Sequence, residues 1–171
     1  LEQYDTPSQL IYTRQLRDPV AGIKVTGKRG ATAFAYLGAV DDRRFSFDGD
    51  HSPVFNLLRV RRDFGSSSTV GIVHTDRVEG DGYNRVSGAD ARVVWRKIWF
   101  SQAQLAGAWT RDATGDTRRG ELWQVVFADR TGRAYGNRFA LNGVSRDFET
   151  HSGFVPRTGI VSGIVVNRFS F

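Results

Sequence analysis

Apolar and polar residues alternate along most of this chain, and the alternation has a period of two residues. In "GIKVTGK", Ile23 and Val25 alternate with Lys24 and Thr26, and the same pattern recurs in "NLLRVRRDF", "SGADARVVW", "SQAQLAGAW" and "NRFALNGVSR". Successive side chains of an extended strand point to opposite faces, so this period is typical of strands with one apolar face. The pattern predicts an all-β protein.

The alternating stretches predict about ten strands in an antiparallel up-and-down meander, with residues 1–171 in a single domain. The predicted ranges are 9–17, 21–28, 31–40, 54–64, 68–77, 84–95, 98–110, 120–128, 134–147 and 158–171. Several approach the roughly ten residues with which a tilted strand crosses a bilayer. Strands of soluble proteins are usually about five or six residues long.

The connections between the predicted strands alternate in length. Short turns are predicted at "KRG", "GSSS", "RK" and "DRTGR", and longer polar connections at "DDRRFSFDGDHSP", "RVEGDGY", "RDATGDTRR" and "DFETHSGFVPR". The first connection, "DPV", is the exception because it is short where a long one is expected. Outer-membrane barrels have short turns at one end and long loops at the other. The chain is therefore predicted to be a transmembrane β-barrel or a segment of a larger one.

The stretch "VVWRKIWFSQAQLAGAW" is predicted to be a hairpin with Arg96 and Lys97 at its tip. Trp95 and Trp99 flank that tip, and together with Trp109 they are the predicted aromatic residues of the membrane interface. A soluble hairpin that packs on a core also has one apolar face. The alternation alone therefore leaves both environments open.

The composition of the two predicted faces favours the membrane environment. Small residues such as Ala89, Ala103 and Gly107 fill a soluble core poorly, whereas fluid lipid chains adapt to them. The opposite faces carry basic residues that are predicted to face the barrel interior, with Asp90 as their acidic counterpart: Lys24, Arg59, Arg61, Arg92, Arg138 and Arg146. Burying such charges dry and unpaired is very costly, so a wet interior or acidic partners are expected. A positive interior would favour anions.

The net charge of +6 and the pI near 10.2 come mostly from arginines that are scattered along the chain. Because these arginines alternate with apolar residues, no accessible basic and aromatic face for nucleic acid is predicted. The absence of cysteine excludes disulfides and thiolate metal sites. No run of about 20 apolar residues is present, which excludes a transmembrane helix.

No catalytic or metal-binding pattern stands out. His51, His74 and His151 are far apart and lack metal-ligand spacing, and His74 to Asp76 has no nucleophile elbow beside it. The acidic stretches "DGDH", "EGDGY" and "DATGD" are explained more simply as solvated loops than as calcium sites. We therefore predict no enzymatic activity, no cofactor and no bound metal.

Several stretches follow one another as they do in a known family: "LEQYDTPSQLIYTRQL", "AGIKVTGKRG", "RVRRDFGSSSTVGIVHTDR", "GYNRVSGADARVVW" and "SGFVPRTGI". The chain resembles the bacterial family called domain of unknown function 5916, which typically follows a carbohydrate-binding family 9-like domain in cell-surface proteins. The resemblance implies a long outer-membrane β-barrel without established catalytic residues, of which this chain is a segment or a shortened member. The final "VVNRFSF" ends on the aromatic Phe171, as outer-membrane barrels often do, but the resemblance favours a cut within a longer chain.

The expected function is that of a non-enzymatic protein of the bacterial outer membrane that acts in surface transport, anchoring or assembly. Its expected partners are outer-membrane lipid, other chains or missing strands of the same barrel, and anionic or carbohydrate ligands. The alternatives are a soluble β-barrel or sandwich that binds a sugar or lipid inside, a subunit of a larger surface complex, and a surface glycan hydrolase. The hydrolase would need clustered carboxylates, which the sequence pattern does not indicate.

Overall fold

A computed structural model describes residues 4–130, 132 and 134–170 of the chain. The described residues form nine strands in one sheet, each antiparallel to the next along the chain: β1 (Pro19–Arg29), β2 (Thr32–Asp41), β3 (Val54–Phe64), β4 (Ser68–Glu79), β5 (Gly82–Trp95), β6 (Trp99–Arg111), β7 (Thr117–Arg130), β8 (Tyr135–Val144) and β9 (Ile160–Phe169). The prediction of an all-β antiparallel meander is confirmed. Within the same residues, no helix has the length and apolar character needed to cross a membrane.

The sheet is open at both edges. Among the described residues, β1 pairs with β2 alone and β9 pairs with β8 alone. Both edge strands are exposed along nearly their whole length. These nine strands therefore do not close into a barrel on their own.

The predicted first strand, 9–17, is wrong. This segment contains a short 3-10 turn at Thr13–Gln15, and the adjacent residues Leu10 and Ile11 are both buried. The segment packs on the sheet instead of pairing with it, and its end is fixed where the Asp41 carboxylate accepts hydrogen bonds from the Arg17 and Asp18 amides at 3.0 and 2.7 Å. Because β1 begins at Pro19, the unexpectedly short connection "DPV" is not a connection between strands.

The connections are short at one end of the sheet, here called the short-turn end, and mostly long at the other, called the loop end. The fully described short turns are 30–31, 65–67 and 96–98, and the connections at the loop end are 42–53, 80–81, 112–116 and 145–159. The predicted long connection "RVEGDGY" is wrong, because β4 extends to Glu79 and β5 begins at Gly82. Gly80 has a φ of +53°, which glycine adopts without strain in a tight hairpin turn.

The two faces of the sheet have different surroundings. Residues 4–18 and 145–158 lie against one face, called the covered face, while the other, called the outer face, has no chain packed on it among the described residues. Leu10 and Phe148 are at most 1% exposed and belong to one apolar cluster with Ala35, Leu57, Val73, Val86, Ala106, Leu122 and Val144 of β2 to β8. The backbone of Phe148 lies so close to Gly120 that a Cβ there would overlap it, so this approach requires glycine.

Candidate functional site

The predicted interior basic residues that lie on strands are placed on the covered face. The Lys24 ammonium lies 5.9 Å from the ring centroid of the buried Tyr4. Arg59 is 2% exposed, and it lines a cavity together with Arg61 and Arg92. Arg138 shares its face with Ala140 and lies 3.2 Å from Asp129. Arg59, Arg61 and Arg92 are thus brought together, whereas Lys24 and Arg138 lie apart from them on β1 and β8.

Arg146 lies outside the sheet and is exposed, because β8 ends at Val144 rather than at the predicted residue 147. The Ser145 amide donates a hydrogen bond to the Glu121 carbonyl at 2.9 Å. The Phe148 amide then donates to the Ser145 carbonyl at 3.3 Å. This turn directs Phe148 onto the covered face and leaves Arg146 in solvent.

Arg59 on β3 and Asp90 on β5 form a buried, two-pronged ion pair across the intervening strand β4. Arg59 Nη1 donates to Asp90 Oδ2 at 2.5 Å, and Nη2 donates to Oδ1 at 2.9 Å. Both side chains are less than a tenth exposed. A desolvated pair of this geometry is costly to disrupt, because removal of one partner leaves an uncompensated buried charge.

A second buried ion pair lies nearer the loop end. Arg77 Nη2 donates to Glu79 Oε2 and to the Phe45 carbonyl, both at 3.0 Å. Its guanidinium lies 3.6 Å from the ring centroid of Phe47, which is a close cation–π contact. Arg77 therefore joins the 42–53 connection to β4.

Asn84 connects the 145–159 segment to the sheet. Its Nδ2 donates to Thr110 Oγ1 at 2.8 Å and to the Glu149 carbonyl at 3.1 Å. Its Oδ1 accepts from the His151 amide at 2.8 Å. The side chain is fully buried, so these bonds replace all of its contact with water.

The covered face also holds residues 4–18 through polar contacts. The Ser8 amide donates to Gln104 Oε1 at 2.7 Å, and the Ser8 hydroxyl donates to Gln124 Oε1 at 3.4 Å. The Tyr12 amide donates to the Ser152 carbonyl at 2.7 Å, which joins this segment to the 145–159 connection. The two covering segments therefore form one layer.

A cavity of about 250 Å³ opens at the loop end between this layer and the strands. Its lining includes Phe47, Arg77, Tyr83, Arg118, Glu149 and His151. Burial lowers the pKa of His151 to about 4, and the positive charges of Arg77 and Arg118 act in the same direction. Glu149 lies 3.8 Å from His151 but is also 3.4 Å from Arg118. His151 is consequently neutral near pH 7.

The described residues contain no group of three or more histidine, cysteine, aspartate or glutamate side chains able to hold a metal ion. In two of the three acidic stretches named in the sequence, "DGDH" and "DATGD", a carboxylate accepts hydrogen bonds from backbone amides of the same stretch, whereas Glu79 of "EGDGY" pairs with Arg77. Asp48 accepts hydrogen bonds from the Asp50 and His51 amides, and Asp112 accepts from the Thr114 and Asp116 amides. The hydroxyl groups of Ser46 and Thr114 also donate to Asp48 and Asp112, and these side-chain hydrogen bonds, followed by those from the backbone amides, lower the pKa of both carboxyl groups.

The outer face is rich in exposed apolar side chains. Val165 is 68% exposed, Leu105 is 63% exposed and Ile72 is 55% exposed. All four tryptophans of the chain lie on this face: Trp95, Trp99, Trp109 and Trp123.

The three tryptophans predicted for a membrane interface lie toward the two ends of the sheet. Trp95 and Trp99 stack at the short-turn end with ring centroids 5.1 Å apart. Trp109 lies toward the loop end of β6, opposite Arg85 and Arg119. Trp123 lies between these levels, opposite Leu105 and Gly143.

Sequence reasoning missed Arg77, Asn84 and Glu149. Arg77 follows Val73 and Thr75 at intervals of two residues in β4, so the alternation predicts that all three lie on the same face. Nothing in the sequence pairs Asn84 with a segment more than sixty residues later, because that contact depends on the path of the 145–159 connection.

Comparison with known proteins gave no match: neither a family model, nor a curated protein, nor a solved structure is similar to this chain.

Proposed function

We propose that this chain forms part of the wall of a bacterial outer-membrane β-barrel, with its outer face toward lipid and its covered face toward the barrel interior. The observation that carries the proposal is that the outer face exposes large apolar side chains, whereas the covered face buries charged side chains beside its apolar cluster. Leu105, on the outer face, is 63% exposed, whereas Arg59 and Asp90, on the covered face, are at most 8% exposed. A water-soluble sheet normally buries its apolar face and solvates its charged one.

The polar groups of the outer face are compatible with this environment. His74 Nδ1 and Ser87 Oγ are 2.8 Å apart and form a hydrogen bond. Asp76 and Arg85 form an ion pair at 3.2 Å toward the loop end, where lipid headgroups would lie. Polar groups that are paired with each other are much less costly in a bilayer than unpaired ones.

The free edges of the sheet support membership of a larger assembly. Unpaired backbone groups are not tolerated in hydrocarbon, so β1 and β9 need partner strands there. Such strands belong to other parts of the same barrel or to other chains. The register shifts in β6 and β7 support this geometry, because β-bulges bend strands and are common in barrels.

The covering layer favours anchoring or assembly over open transport. Residues 4–18 and 145–158 occupy the face that would line the interior, and Arg59 is locked to Asp90. Arginines neutralised by acids on neighbouring strands are typical of a filled, structural interior rather than of a conducting pore. The resemblance to domain of unknown function 5916 agrees with this proposal and stays a prediction.

The proposal is tested by flotation with phospholipid vesicles, using two positions on opposite faces of β6. The unmodified chain should float with the vesicles and stay bound after a urea wash. Leu105→Asp places a charge on the outer face and should reduce the bound fraction severalfold, because a charged side chain on the lipid-facing side destabilises a membrane-spanning strand. Gln102→Asp, on the covered face, should leave it unchanged. A chain that stays in the aqueous phase as a monomer would contradict the proposal and favour the soluble ligand-binding alternative.

A further inference from the structure

A second cavity lies under residues 5–7 toward the short-turn end of the covered face, and three guanidinium groups surround it. Its volume is about 230 Å³, and its lining includes Asp5, Arg59, Arg61, Thr69, Asp90 and Arg92. Arg61 and Asp90 lie in one row across the strands, through Gly71, while Thr69 and Arg92 are directly opposite each other in the next row. The cluster is therefore set by strand register, not by a mobile loop.

Two nitrogen donors at this cavity lack acceptors. Nε of Arg59 and Nε of Arg61 are shielded from solvent and have no hydrogen-bond partner. Arg59 as a whole is only 2% exposed. Buried N–H groups are nearly always paired, so two unpaired donors at one cavity indicate a missing acceptor. The two carboxylate oxygens of Asp90 are already in use, because they accept hydrogen bonds from Nη1 and Nη2 of Arg59.

The charge around the cavity is positive once the ion pairs are counted. Asp90 compensates Arg59. Among the described residues, Arg92 has no carboxylate within 4.0 Å, and its guanidinium lies 4.3 Å from the ring centroid of Phe100. Nε of Arg61 lies 3.7 Å from Asp63 Oδ1, which is beyond hydrogen-bonding distance, and Lys28 contacts the same carboxylate at 2.8 Å. Asp5 is exposed at the rim.

We propose that this cavity binds a small oxyanion of the phosphate type, held by Arg61 and Arg92 and by the free Nε–H of Arg59. An oxyanion supplies several acceptor oxygens at once, which matches planar guanidinium donors, and it carries the negative charge that the site lacks. Thr69 and Gln102 add neutral polar groups to the same lining. The site belongs to the chain itself, so the proposal does not depend on whether the outer face meets lipid.

The experiment is a titration of the full chain with inorganic phosphate at constant ionic strength, followed by NMR of the arginine Nε–H groups. The signals of Arg59 and Arg61 should shift and saturate. Arg61→Gln and Arg92→Gln should each weaken phosphate binding about tenfold or more, because each substitution removes charge-assisted hydrogen bonds to the oxyanion. Arg62→Gln is the matched control, since it removes the same charge from the next residue on the outer face, and binding should be unchanged.

A shift that never saturates, or equal weakening by Arg62→Gln and Arg61→Gln, would overturn the proposal and indicate nonspecific attraction to a basic protein. Arg61 is 36% exposed at its side chain, so its substitution should not prevent folding. Should it do so, Arg92→Gln decides the question by the same measurement. Flotation with vesicles is a separate readout, so failure of the oxyanion site and failure of the membrane proposal are distinguishable.

Discussion

The guanidinium of Arg59 passes directly over the backbone of Gly71 to reach Asp90. A Cβ at position 71 would lie 2.6 Å from Nη1 and 2.8 Å from Cζ of Arg59. Asp90 is opposite Gly71 in the strand register, so the pair spans β4 at the one position where that strand has no side chain. Gly71 is therefore required by the ion pair and not by a backbone turn.

Gly71→Ala should destabilise the folded chain. Alanine is normally the better strand residue, but here its methyl group displaces Arg59 from Asp90 and leaves both charges poorly paired. We expect a loss of about 2–3 kcal/mol in the free energy of unfolding, measured by denaturant titration. In Gly163→Ala the new methyl group meets the movable end of Leu141 on the exposed edge, so a small effect is expected. Gly71→Ala should also be made in a chain that carries Arg59→Leu and Asp90→Leu. If it lowers the free energy of unfolding there by the same amount, the clash with Arg59 is not the cause.

Asn84→Leu should release the 145–159 connection from the sheet. The substitution removes the acceptor of the His151 amide and the donor to the Glu149 carbonyl, so both backbone groups lose their partners. We expect a loss of about 3 kcal/mol and faster hydrogen exchange of the His151 amide. Asn167→Leu is the control, since Asn167 is exposed on β9 and accepts one bond from the Tyr135 hydroxyl. Unchanged exchange of the His151 amide in Asn84→Leu would contradict the assigned role.

Acid should weaken the covering layer through His151. Its pKa in the folded chain, about 4, lies below the ordinary value of 6.5, so the unfolded chain binds more protons between these values. The stability contributed by neutral His151 is complete above about pH 6.5 and is lost as the pH falls toward about 4. The loss should be on the order of 3 kcal/mol. Denaturant titrations across this range should show a smaller acid loss in His151→Gln.

His51 is the control for this pH dependence. A hydrogen bond to Asp48 raises the pKa of His51, so its contribution is present at low pH and is lost as the pH rises through the folded value. His51→Gln should therefore not reduce the acid loss. A smaller acid loss in His51→Gln than in His151→Gln would contradict the assignment to His151.

The tryptophans should report different depths in a bilayer. Trp99 and Trp109 are ten residues apart on β6, which is about 33 Å along a strand and about 25 Å across a bilayer at a usual barrel tilt. In chains with a single tryptophan, we expect Trp123 to be quenched most by lipid bromines near the bilayer centre. Trp95, Trp99 and Trp109 should be quenched most by bromines near the headgroups. Equal quenching of all four by a water-soluble quencher would contradict this arrangement.

The sequence contains the strands and their faces because both depend on local alternation. In β3, the parity of Arg59 and Arg61 is enough to place them on one face. Alternation failed at Leu10 and Ile11, where adjacent side chains are both buried because the segment covers the sheet. Alternation also does not predict which residues meet across strands. The contact of Arg59 with Asp90 depends on the register of β3, β4 and β5, which cannot be derived from the alternation within each strand.

The environment of β6 tests the central claim most directly. Since the chain has no cysteine, single cysteines can be placed at residues 102–107 and labelled with a nitroxide after reconstitution into vesicles. We expect labels at positions 103, 105 and 107 to collide with dissolved oxygen and to be shielded from a water-soluble nickel chelate, and labels at 102, 104 and 106 to lack the oxygen signal. A label at Leu105 that reaches the chelate as readily as one at Asp50, in the exposed 42–53 connection, would contradict a lipid-facing outer surface.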